Sequence, residues 1–212
     1  TLLEWYRLGF DHHELLREVA ELLSQLLSIN SWEVWPWHAL FENILSINPD
    51  QATEGELAQC ASSALGQPLP ELDRNGVLDL LMSHVIEPAI ACRGMVFIVD
   101  YPASQAALAR CFERNGQSLG ARFECYVDGI ELANGYWEAG DNRELRRRFE
   151  ADNSIRRQRG QQERPVDERF LAAMAAGLPD CAGVALGVDR VLMCQLGLDD
   201  LDSTLAFSWL RA

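Results

Sequence analysis

The run RFECYVDGIELANGYWE, residues 122–138, places Glu124, Glu131, Asn134 and Glu138 within fifteen positions. Asp128-Gly129 suits the two positive φ angles of a type I′ turn and predicts a β-hairpin. A two-residue turn pairs Val127 with Ile130 and Tyr126 with Glu131. Alternation then gives Phe123, Cys125, Val127, Ile130 and Leu132 a core face. Arg122, Glu124, Tyr126 and Glu131 take the other face. Glu124 and Glu131 therefore lie side by side on adjacent strands, where two carboxylates repel unless a cation sits between them. A hard divalent ion such as Mg²⁺ suits them and commonly arrives with phosphate. Gly135 is expected to break the strand, so that Glu138 faces back toward the same cavity. The competing reading is a solvent-facing sheet on which Arg122 neutralises Glu124, and spacing alone does not separate the two. Asp141, with Glu144 three residues on, is expected to cap the next helix.

The stretch ALGVDRVLM offers a second group. Gly187 lets backbone approach a ligand closely. Asp189 is expected to cap a helix, and Arg190 sits in the first turn. A cation there gains nothing from the helix dipole, so its use is to hold phosphate jointly with the helix end. In TLLEWYR, Glu4 and Tyr6 alternate on a strand and point the same way. Alone, they read as an edge-strand pair.

The elements that must position these residues are legible to varying degrees. Leu15, Leu16, Val19, Leu22, Leu23 and Leu26 recur at helical spacing and predict a helix over 11–27. Trp32, Trp35, Pro36 and Trp37 read as an aromatic connection. Short helices are expected over 38–47, from the Thr53–Glu56 capping box to Gly66, and over 78–90, where Pro88 must bend or end the last. Residues 95–99, MVFIV, fit a buried strand. Strands follow over 122–127 and 130–134, then helices over 142–159 and 167–176. A strand, a glycine turn and a helix closed by Gly197 come next, then a final strand over 206–210. No internal repeat, low-complexity tract or linker interrupts the chain. Residues 1–212 are expected to form one domain of the α+β class, an antiparallel β-sheet flanked by helices.

Composition limits the function classes. The 212 residues carry a net charge of −14, which argues against broad binding to a phosphate backbone. Residues 143–159 hold seven arginines, among acids that read as a solvated helix face. All 18 basic residues are Arg. No apolar run approaches the ~20 residues of a membrane span, and no signal-peptide pattern opens the chain. The six cysteines show no metal-knuckle or redox spacing and are expected to be buried free thiols in a reducing cytoplasm.

In this order, TLLEWY, RFECYVDGIELANGYWE and GVALGVDRVLM resemble the core of class II aminoacyl-tRNA synthetases of the lysyl type. They are similar to the end of motif 2, the RFE…GxELxNGxxE strand pair and motif 3. The resemblance is closer still to the stand-alone paralogues that modify elongation factor P. Tyr101–Ala109, YPASQAALA, is similar to their PASQASLA, and Ala185 stands where lysyl-tRNA synthetases carry glycine. The chain also ends at FSWLRA in their manner.

The resemblance implies roles residue by residue. Glu124 and Glu131 would serve Mg²⁺ and ATP, with Leu132 and Gly187 against the nucleotide. Arg190, the catalytic arginine, would contact the terminal phosphates. Asn134 would orient the amino acid, while Glu138, Tyr6 and Glu4 receive its side-chain ammonium; Ala185 would shape the pocket floor. The implied reaction activates lysine or β-lysine with ATP as an aminoacyl-adenylate. The acyl group then passes to a lysine of elongation factor P, in a cytoplasmic homodimer. A lysyl-tRNA synthetase and a non-catalytic binding paralogue are the alternatives; net acidity disfavours tRNA. Motif 1 and the motif 2 arginine would precede Thr1. The chain is thus expected to match the C-terminal two-thirds of the enzyme, a truncated core inactive alone.

Overall fold

Strand alternation sets the architecture. The computed structural model describes residues 1–209. Its strands are β1 (Leu2–Leu8), β2 (Trp32–Pro36), β3 (Met95–Pro102), β4 (Cys111–Arg114), β5 (Gln117–Val127), β6 (Ile130–Trp137) and β7 (Cys181–Gly187). They form one seven-stranded sheet in the order β1-β7-β6-β5-β3-β2, with β4 also paired to β5. Every pairing is antiparallel except β2 with β3, so the sheet is mixed and the class is α+β.

The two faces are covered separately. On one, α1 (His12–Leu27) lays Leu15, Leu16, Val19 and Leu23 against Met95, Phe97, Phe123 and Cys125. On the other, the segment carrying α2 (Trp37–Leu40), α3 (Glu54–Leu65), α4 (Arg74–Leu81) and α5 (Glu87–Ile90) packs over Val96, Ile98, Tyr101 and Tyr126. A smaller cluster joins α6 (Asn142–Gln158) to α7 (Glu168–Ala176) through Leu145 and Leu171. The helix α8 (Val188–Leu196) follows β7 directly.

Local signals explain most boundaries. Asp11 and Glu14 form a capping box at α1, and Thr53 and Glu56 form another at α3. Asp128 and Gly129 both have positive φ, at 51° and 80°, as the type I′ turn demands. Asp141 caps α6, but Glu144 pairs with Arg147 and Arg148 instead of closing a box.

Several expectations are corrected. Trp32–Pro36 is a strand, not a connection, because its residues pair with β3 along their whole length. The helix expected over 78–90 begins at Arg74, capped by Asp73, and Pro88 does not stop it. Glu87 donates to the Met82 carbonyl, a five-residue step, so the backbone is already widened where the proline ring enters. The strand β4 was not expected; Asn115-Gly116, with φ values of 53° and 79°, makes a second tight hairpin with β5. Asp189 does not cap α8: Gly187 occupies the cap position, with an ordinary φ of −79°. The expected final strand is not one over 206–209, and Leu210 lies outside the described residues. All six cysteines are free; Cys125 and Cys181 are buried, but Cys92 is exposed.

Two irregularities decide which side chains reach the helix-roofed face. In β3 the register shifts between Val99 and Tyr101, and Asp100 takes a φ of 57°. Asp100 and Val99 consequently both turn to the α1 side, and Tyr101 turns to the other. In β6, Glu131 pairs with Tyr126 but Ala133 pairs with Cys125, leaving Leu132 as the extra residue. Each is a β-bulge, which inverts the phase of everything after it. Gly135 does not break β6, which continues to Trp137. A Cβ at Gly135 would lie 2.4 Å from the Phe123 ring and 3.1 Å from the Gly183 carbonyl oxygen, so this position is glycine for packing.

Gly135→Ala is therefore expected to destabilise the intact protein by roughly 1–3 kcal/mol through overpacking. Adding Phe123→Leu should recover part of the loss. Calorimetric melting of both variants is the check, and an unchanged midpoint for Gly135→Ala would show that the contact is loose.

Candidate active site

Opposed residues across the sheet share a face, and two such rows build the site. The first runs from Glu124 on β5 through Asn134 on β6 and Ala185 on β7 to Glu4 on β1. The second runs from Arg122 through Tyr136 and Gly183 to Tyr6. Asn134 belongs to the first row only because of the bulge at Leu132; unbroken alternation would point it at α1.

Glu124 is the anchor of the first row and is only 7% exposed. One carboxylate oxygen, Oε1, accepts from the Arg122 guanidinium and from Asn134 Nδ2 at 3.1 Å. The other accepts from the Tyr101 and Tyr126 hydroxyls, each at 2.6 Å. Burial, and next the charge on Glu124, push both phenols up, so each stays a donor. Arg122 lies 4.4 Å over the Tyr101 ring and also donates to the Gln105 carbonyl. Burial, the largest single effect, opposes its ionisation, but Glu124 together with Tyr101, Tyr136 and Tyr126 outweighs burial and raises it. The Arg122–Glu124 pair foreseen for a solvent-facing sheet thus exists, but inside a roofed cavity of about 690 Å³ that Glu131 also lines.

Glu131 stands at the junction of two cavities. Burial first, then Glu124, raises its carboxyl above the ordinary range, with Arg190 opposing. Arg190 Nη1 donates to the Glu131 carbonyl at 2.8 Å and lies 3.3 Å from its Oε2. The second cavity, of about 320 Å³, is lined by Glu131, Leu132, Asn134, Ala185, Gly187 and Arg190 among others. A Cβ at Gly187 would meet only the Arg190 side chain, 3.6 Å away, so neither backbone nor packing requires glycine there.

The donor set suits a hard cation. Glu124 and Glu131 offer oxygens only, and the raised Glu131 carboxyl marks a place where positive charge is favourable. Glu124 could take part only by releasing Arg122 or Asn134 from Oε1.

The second row brings together a different polar group. A Cβ at Gly183 would lie 2.4 Å from Glu138 Oε1 and 2.5 Å from Tyr6 Cε1, so both side chains lean over this glycine. The Glu138 backbone is fixed by its N–H to the Cys181 carbonyl at 3.0 Å. Burial raises the Glu138 carboxyl to about 7. The Tyr6 phenol is pushed up by burial, then by Glu138 and Glu4. Glu138 and Tyr6 therefore share one electronegative patch, with the exposed Glu4 nearby. Sequence reasoning missed Gly183 and Tyr101. A glycine within the strand CAGVALG was the available signal for the first; nothing local marked the bulge that turns the second.

Residues 50–211 match the family of tRNA synthetases class II (D, K and N). The chain belongs to that family. It is 44% identical over 214 residues to the elongation factor P–(R)-beta-lysine ligase of Vibrio cholerae, covering 100% of this chain and 66% of that protein. The ligase of the same name from Salmonella paratyphi B is 42% identical with the same coverage. That from Vibrio parahaemolyticus is 42% identical over 98% of this chain and 64% of its own length. The chain thus spans slightly under two-thirds of the relatives it matches. No helix among the described residues is long and apolar enough to cross a membrane.

The raised Glu138 carboxyl has a consequence for stability. Its folded-state value of about 7 lies above the ordinary 4.5, so folding favours the protonated form. The stability it contributes is complete below the ordinary value and is lost as pH rises through the folded one. Glu138→Gln should leave the intact protein unchanged near pH 4.5 and stabilise it at pH 8 by at most about 3 kcal/mol. Calorimetric melting at the two pH values reads this; an equal effect at both would mean that Glu138 is solvated.

Proposed function

We propose that the intact protein is an ATP-dependent ligase. It activates lysine or β-lysine as an aminoacyl-adenylate and transfers the acyl group to a lysine side chain of elongation factor P. The observation that carries this reading is the meeting of Glu138 and Tyr6 over Gly183, one residue row from Asn134 and Glu124. An ammonium pocket beside a carboxylate pair suits an amino acid with a second cationic group. The names of the relatives support the same substrates.

In this reading the chain works by positioning and charge, without a covalent intermediate on the protein. Glu138, Tyr6 and Glu4 hold the side-chain ammonium. Asn134 is fixed by Glu124 and orients the amino-acid end. Leu132 and Gly187 border the nucleotide. Arg190 would leave Glu131 to meet the terminal phosphates, and Glu124 and Glu131 would hold the metal. When bound, Mg²⁺ supplies charge neutralisation on the phosphates. The net charge of −14 favours a protein acceptor over tRNA. The setting proposed is the cytoplasm, in a homodimer. Pyrophosphate exchange with each lysine isomer, followed by the mass gain on elongation factor P, tests the activity. Exchange without that gain, but with charging of tRNA, would transfer the reading to a lysyl-tRNA synthetase.

Two variants probe the pocket. Glu138→Gln should raise KM for the amino acid roughly tenfold to a hundredfold, from about 1.5–3 kcal/mol for a charge-assisted hydrogen bond, and spare KM for ATP. Unaltered lysine kinetics would remove Glu138 from the pocket. Ala185 adds one methyl between Glu4 and Asn134. Ala185→Gly should shift kcat/KM toward α-lysine relative to β-lysine by about tenfold. A constant ratio would make Ala185 a packing residue only.

A further inference from the structure

On the α1 side of the sheet, remote from both cavities, His12, His13 and Asp100 converge. Their donor atoms all lie within 4.8 Å of one another. His12 Nε2 is 3.1 Å from Asp100 Oδ1, and His13 Nε2 is 4.0 Å from the same oxygen. Consecutive residues on a helix normally diverge. Here, in the first turn of α1, the two imidazoles instead lie 4.1 Å apart and turn the same nitrogen to one carboxylate oxygen. Asp100 and His12 are almost fully buried, while His13 is open to solvent on one side.

The backbone has been bent to achieve this. Asp100 sits at the register shift of β3, opposite the extra residue of β5, and is held at a φ of 57°, which a non-glycine residue seldom adopts. Its second oxygen, Oδ2, accepts from the half-exposed Arg114 at 2.5 Å, so the two carboxylate oxygens are divided between Arg114 and the histidine pair.

We propose that His12 Nε2, His13 Nε2 and Asp100 Oδ1 form a binding site for a divalent transition ion of the zinc type, separate from the hard-cation site at Glu131. Two nitrogens and one oxygen are the ligand set such ions take, with a fourth position left to water. Donors around a tetrahedral ion at such bond lengths lie about 3.4 Å apart. The observed 3.1 and 4.0 Å straddle that separation, and the mobile partner is the solvent-side His13. The ion would be structural: it clamps the first turn of α1 to the bulge that aims Tyr101 at Glu124. Arg114 sets its strength, because its guanidinium shares the carboxylate and opposes a second cation.

Co²⁺ titration of the intact, metal-stripped protein is the test. One equivalent should produce the visible absorption of a tetrahedral site, and Zn²⁺ should displace it and raise the melting temperature. His13→Ala should abolish both responses while leaving the metal-free melting temperature unchanged. Arg114→Gln should tighten Co²⁺ binding several-fold. Absence of the absorption, or its survival in His13→Ala, would overturn the site and leave the cluster as a hydrogen-bonded tie between α1 and β3.

Discussion

A buried carboxylate must be answered on every side, and Glu124 imposes that condition on much of this molecule. Four donors reach it from three strands: Arg122 and Tyr126 on β5, Asn134 on β6 and Tyr101 on β3. Removing one partner from such a buried pair typically costs about 3–5 kcal/mol, because the remaining charge is stranded. A single charge thus ties together polar side chains from three strands of the central sheet. That rigidity is what a site working by position requires.

The hairpin itself was legible. Asp128-Gly129 determined the turn, the turn determined the Tyr126–Glu131 pairing, and Glu124 and Glu131 followed onto one face. Legibility ended where alternation failed. Nothing in MVFIVDYP or ELANGY announces an irregularity, yet a bulge at Leu132 is what brings Asn134 beside Glu124. Assigning the re-aiming to Gly135 was a natural error, since glycine is the usual sign of a broken strand. The true reason for Gly135 lies across the sheet in Phe123. The strand β2 was hidden for a related cause. Its tryptophans look like a loop locally and become a strand only through pairing with β3, sixty residues later. The approach of Tyr6 to Glu138 was not legible either, because the two side chains come together over Gly183 only once β1 and β7 are aligned.

The two sides of the site differ in how their charge is handled. At Glu124 and Glu131 the protein supplies its own cations, Arg122 and Arg190. At Glu138 none is supplied among the described residues, and burial raises the carboxyl to about 7 instead. An arginine can leave its carboxylate for a phosphate while a metal ion takes its place, so the carboxylate stays paired with a cation. The Glu138 carboxyl ionises above about pH 7, and its charge is then unpaired until a cation arrives.

On the proposed reading this difference gives the site its selectivity. A ligand without a side-chain ammonium would have to leave Glu138 protonated, and above neutral pH that state is itself unfavourable. A ligand bearing the ammonium gains the ion pair and relieves the unpaired charge together. Specificity then comes from a carboxylate that is poorly satisfied alone, held over Gly183 where no Cβ can take the ligand's place. The nucleotide side needs no such penalty, because its arginines are already in position and merely change partners. Selection by an unsatisfied acid and activation by pre-placed cations are distinct uses of electrostatics, and the sheet keeps them on neighbouring rows so that one ligand can engage both.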